Sequence, residues 1–205
     1  MTVWVGVKQS FFDWGNLKCK QDTANVMNAG GSLVTRGGLT LNADSWTNSS
    51  VIQAGRLNLN VNQVAQTASG QLLASQHLQA RGGNWSNDGL IASDGLIDMQ
   101  LSGGYSGNGR LSSQRGTYLS AAQMNIGAGG SFAAGATSTI SVGGQLINAG
   151  RITSSEDLTV NAGSYSKLEG ILSASTPIGD NFRIGGAVAK LTRGGYGDNL
   201  VQPGV

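Results

Sequence analysis

Three aspartates, Asp88, Asp94 and Asp98, stand close together near the middle of this chain. Carboxylates that meet across a cleft can divide the acid and base roles of glycosidic-bond cleavage, so the trio is the first candidate for chemistry. His77 is the sole histidine. A zinc site built on it would lack partners, and a serine triad would need a nucleophile and an orienting acid from elsewhere. Cys19 is the sole cysteine, which rules out an intrachain disulfide and any cysteine cluster for a metal. Gly103-Gly104-Tyr105-Ser106-Gly107-Asn108 comes nearest to a calcium-binding nonapeptide, but Asn108 occupies the place of the required acid. No catalytic residue, metal ligand or cofactor is assigned, and the chain is read as a non-enzyme.

What must position these residues is a repeat. Ser86 to Gly104 runs from an Asn turn through Gly89, Leu90 and Ile91 to a second turn at Ser93–Gly95, then alternates into glycines. Asn148 to Gly163 follows the same order. The apolar residue after each Gly-rich turn gives eight anchors, Leu33, Ile52, Leu72, Ile91, Leu111, Phe132, Ile152 and Leu172, separated by 19, 20, 19, 20, 21, 20 and 20 residues. A period held that closely marks a solenoid, in which each repeat buries its face only against its neighbours. Shifted by one period, the three aspartates meet Ala68 and Asn108, Ala74 and Gln114, Leu78 and Tyr118. No second carboxylate stacks on any of them, so they read as turn and surface residues, as does His77 at a corner.

The runs Leu39–Asn42, Leu57–Asn62, Ile97–Leu101 and Leu158–Ala162 alternate apolar and polar residues, the pattern of strands with one buried face. No stretch offers a helical stripe, and turn glycines recur too often for one. A leucine-rich repeat shares the period, but Arg36 falls where its leading leucine belongs. The expected fold is all-β, a parallel β-helix of about seven to eight rungs and ~20 residues per rung, rising about 4.8 Å per rung. Residues 26–175 form the repeat body. Residues 1–25 hold Trp4, Phe11, Phe12 and Trp14 and read either as a cap on the open end or as unrelated sequence. Residues 176–205 read as an irregular Gly-rich tail interrupted by Pro177.

Composition narrows the partners. Glycine counts 33 of 205 residues, proline two, and charged residues 12%. From Val26 to Ser166 six arginines balance six acids, so the net charge of +2 sits at the two ends. Neither a nucleic-acid stripe nor a polybasic membrane patch is present, and no segment has the length of a membrane span. The run Val3–Val7 is too short for a signal-peptide core.

Two columns remain. Asn28, Asn48, Asn87, Asn108 and Asn148 recur before the anchors, and turn asparagines stacked in register can pass amide hydrogen bonds from rung to rung. Trp46, Trp85, Tyr105 and Tyr165 recur at roughly twenty-residue multiples. Facing outward they would stack on sugar rings; facing inward, the favoured reading, they would fill a corner.

The phrases NAGGSLVTRGGLTLNADSW, SNDGLIASDGLIDMQLSGGYSGNGRLSS and INAGRITSSEDLTVNAGSY resemble the haemagglutinin repeats of two-partner-secretion exoproteins, the filamentous haemagglutinins and contact-dependent growth-inhibition toxins. The resemblance covers about residues 26–175. It implies a right-handed β-helix, export through a partner outer-membrane transporter, and display as a secreted or surface fibre serving adhesion or toxin delivery. Members are much longer and start with a secretion signal, so this chain reads as a stalk segment of such a fibre. A polysaccharide-active β-helix enzyme and a non-functional gene remnant are the alternatives. The expected contacts are a surface glycan or receptor and end-to-end association with further copies.

Overall fold

The structure is a computed structural model that describes residues 31–163 in full, together with the strands at 2–4, 17–20, 25–28, 171–178 and 182–186. It contains strands and turns, with no helix among the described residues. Each rung contributes three strand segments, and each segment pairs in parallel with its counterpart one rung on. The product is a parallel β-helix.

The first face carries the anchors. Leu33 pairs with Ile52, Ile52 with Leu72, Leu72 with Ile91, Ile91 with Leu111, Leu111 with Phe132, Phe132 with Ile152 and Ile152 with Leu172. The second face is the longest. Leu57, Leu78 and Ile97 form one of its inward columns, and Leu59, Ala80, Met99, Leu119 and Ile140 form the next. The third face stacks 45–48, 63–66, 84–87, 104–107, 123–126 and 146–148.

Alternation explains the burial. In Leu96–Leu101 the odd positions Ile97, Met99 and Leu101 are buried while Leu96 and Gln100 are exposed. Side chains of a strand point alternately to its two faces, and only one face here has a core behind it. The core is a narrow shaft of aliphatic side chains with Trp46, Trp85, Tyr105 and Phe132 set into it. Corners demand glycine at two telling places. Gly107 has φ +131, and a Cβ there would lie 2.0 Å from the Asn87 carbonyl oxygen. A Cβ at Gly82 would come within 1.8 Å of the Val61 carbonyl oxygen, the same atom that accepts a 2.9 Å bond from Trp85 Nε1.

Further strands pair at both ends of the stack. Leu17–Lys20 pairs in parallel with 39–42, Asn25–Asn28 with 45–48, and Thr2–Trp4 with 25–27. Alternation in so short a strand as Leu17–Lys20 is too brief to register as a repeat. At the other end, Ile171–Ile178 leaves Arg151–Ser154 after Ala174 and pairs antiparallel with Phe182–Gly186. In that antiparallel pair Pro177 stands opposite Arg183.

Candidate interaction surface

The three aspartates occupy three different places around the coil. Asp88 follows the third face, where its Oδ1 accepts the Asn108 backbone N–H at 2.9 Å. Asp94 lies in the next corner and accepts from Gln114 Nε2 at 3.3 Å. Asp98 points out from the second face, accepting from Gln100 Nε2 at 3.0 Å and pairing with Arg81 at 3.4 Å. Its register partners are Gln79 and Tyr118, so the simple one-period shift to Leu78 was one residue out. His77 is half-buried at the start of a second-face segment, between Arg56 and Leu96 on the adjoining rungs. Among the described residues no group of three or more His, Cys, Asp or Glu gathers to hold a metal ion.

The asparagine column divides, because Asn108 falls out of its register. By register Asn48, Gln66, Asn87, Gly107, Ile126 and Asn148 follow one another on the inward side, and Asn28 pairs with Asn48. Asn48 Nδ2 donates to Gln66 Oε1 at 3.3 Å, and Gln66 Nε2 donates to Asn87 Oδ1 at 3.1 Å. Asn87 Nδ2 then donates to the Tyr105 hydroxyl at 3.1 Å. Asn87 and Asn148 also fold their Oδ1 atoms onto the N–H two residues on, at Gly89 and Gly150, each at 3.1 Å. Asn108 does not belong to this ladder. Because Trp85 pairs with Tyr105, the position opposite Asn87 is Gly107, and Asn108 is pushed to the exposed corner above Asp88. Gln66 was missed because its amide stands at the end of a Val-Ala-Gln run with no following Asn-x-Gly turn to mark it.

Trp46, Trp85 and Tyr105 are inward residues of the third face, 3%, 1% and 5% exposed. Their rings face the core, so they cannot stack on a sugar; Tyr165 lies outside the described residues. Burial pushes the Tyr105 hydroxyl pKa up to about 12, with Asp88 adding to the rise and the Asn87 hydrogen bond opposing it.

What the third face presents outward is a groove of about 690 Å³ lined by segments of six successive rungs. One wall is the row Ser45, Gln63, Asn84, Gly104, Gln123 and Gln145; beside it run Thr47, Ala65, Ser86, Ser106, Asn125 and Ile147. None of these residues is ionisable. Asn84 Oδ1 accepts the Gly104 N–H at 2.8 Å, and the amides of Gln63, Gln123, Asn125 and Gln145 make no hydrogen bond to any described residue. The sequence did signal this row, since each of its members immediately precedes an inward residue of the third face.

Rungs paired in parallel from level to level, a core filled by stacked columns and an uncharged groove along the third face define a β-helical shaft, a class that presents surface along its length. A family model described as the Haemagglutinin repeat matches residues 13–98 and again residues 86–176, and the chain belongs to that family. Membership supports a structural or adhesive role of the filamentous-haemagglutinin kind. Comparison with curated proteins and with solved structures returned no match.

Proposed function

We propose that this chain is a stretch of rigid stalk in a fibre that is exported through a partner outer-membrane transporter and displayed at the cell surface, and that it serves adhesion. The observation that carries this reading is the unbroken register of the anchors from Leu33 to Leu172 within a chain matched twice by the repeat family. Such a stack is stiff along its axis and offers the same faces at every level. The third-face groove supports adhesion over a purely spacing role, because it gathers unpaired amides in one row. The dispersed aspartates lend no support to glycosidic cleavage. The test is to coat beads with the purified chain and measure attachment to animal and bacterial cells under flow. Attachment above that of beads carrying an unrelated β-helix is expected. Equal attachment of both would remove the adhesive role, and release of reducing ends from a polysaccharide panel would revive the enzyme reading.

A further inference from the structure

The third-face groove has a shape and chemistry that select a ligand. Five rung steps at about 4.8 Å give it a length of roughly 24 Å parallel to the rod axis. It carries no charge, and along one wall Gln63, Asn84, Gln123 and Gln145 present side-chain amides, which can both donate and accept. Its floor is the strand backbone of the third face, with the rings of Trp46, Trp85 and Tyr105 packed on the opposite, core side.

The row has a gap at Gly104. Gly104 has no positive φ, and a Cβ built on it would meet Asn84 Oδ1 and the Gln123 carbonyl oxygen at an ordinary 3.6 Å. Neither backbone conformation nor crowding therefore requires glycine there, unlike Gly82 or Gly107. Glycine in a strand costs about 0.5–1 kcal/mol relative to alanine. The missing side chain leaves the wall open at mid-length, between Asn84 and Gln123.

We propose that this groove is a binding site for a linear, uncharged glycan lying along the rod axis, entering at the Gly104 gap and held by Asn84, Gln123, Asn125 and Gln145. Amide side chains meet vicinal hydroxyl pairs with a donor and an acceptor at once, which matches an unsubstituted sugar and leaves a sulfate or uronate without a counter-charge. An extended pyranose chain repeats on a spacing comparable to a rung, so successive units meet successive amides. This inference rests on the adhesive reading but goes further in naming the ligand class and the site.

The test uses the full chain and neutral linear oligosaccharides of increasing length, with sulfated and uronate-containing counterparts, by titration calorimetry at low and high salt. Binding of neutral chains is expected, tightening with each unit until the six rungs are spanned and unaffected by salt. Gly104→Gln fills the gap and should weaken binding by roughly tenfold or more, whereas Asn108→Ala, at an exposed corner outside the groove, should leave it within about threefold. If Gly104→Gln does not fold, the surface pair Gln123→Ala/Gln145→Ala should show the same loss. Absence of binding to every neutral chain, a tighter salt-sensitive anionic ligand, or wild-type affinity in a folded Gly104→Gln chain would each overturn the proposal. Cell attachment without neutral-glycan binding would sink this inference alone, while absence of attachment would sink the adhesive reading itself.

Discussion

Replacing Asn87 by alanine tests whether the inward amides hold the rungs together. Its side chain makes four hydrogen bonds at a position only 1% exposed. Oδ1 accepts from Gln66 Nε2 and Gly89 N, both at 3.1 Å, and Nδ2 donates to the Tyr105 hydroxyl at 3.1 Å and the Arg110 carbonyl at 3.2 Å. Gln66 Nε2 keeps a second acceptor, the Leu90 carbonyl at 2.8 Å, so three partners lose most. At about 1 kcal/mol per buried bond, with a further penalty for polar groups left unpaired, the loss is about 3–4 kcal/mol. Asn108→Ala is the matched control. Its exposed Oδ1 accepts one long bond, from Gly129 N at 3.4 Å, and its removal should cost under about 0.5 kcal/mol. Urea unfolding followed by far-ultraviolet circular dichroism gives both values. A double-mutant cycle with Tyr105→Phe should show coupling of at least about 0.5 kcal/mol, since the two side chains touch. Equal losses for Asn87→Ala and Asn108→Ala, or a loss below about 1 kcal/mol for the former, would refute the ladder as a source of stability.

Other outcomes follow from the same geometry. Ser138 is fully buried and its Oγ has no hydrogen-bond partner, so Ser138→Ala should raise the urea midpoint by an amount equivalent to about 1 kcal/mol. Gly104→Ala should likewise stabilise, by about 0.5–1 kcal/mol, because strand glycine is entropically costly and space for the methyl is present. The raised Tyr105 pKa means that the folded chain holds this proton more tightly than the unfolded chain does. Its contribution is therefore complete below pH ~10 and is lost as the pH rises toward about 12. Denaturation midpoints measured across that window should fall less steeply in Tyr105→Phe than in the parent.

The fold was legible because its signal repeats. One anchor could be a coincidence, but seven successive steps from Leu33 to Leu172 fix the register, and parallel pairing then follows from the period. Position within a corner was less legible. Asn87-Asp88 and Gly107-Asn108 look interchangeable by spacing, and only the pairing of Trp85 with Tyr105 shows that Asn108 stacks on Asp88. The direction of the aromatic column was open for a related reason: periodicity shows that side chains share a face but not which side of the strand holds the core. Gln66 shows the limit from the other direction, since the ladder needs a carboxamide at that level, and a longer side chain supplies it from a run that lacks the turn motif.

The columns also vary from level to level, and that has a mechanical consequence. On the second face the apolar series Leu57, Leu78 and Ile97 gives way to Thr117 and Ser138. Tension along a rod loads its levels in series, so rupture begins at whichever junction is least cohesive. With a hydroxyl where its neighbours carry methyl groups, the seam between 117 and 138 is where a pulled filament should tear first, leaving the levels on either side intact to close again when the load is released.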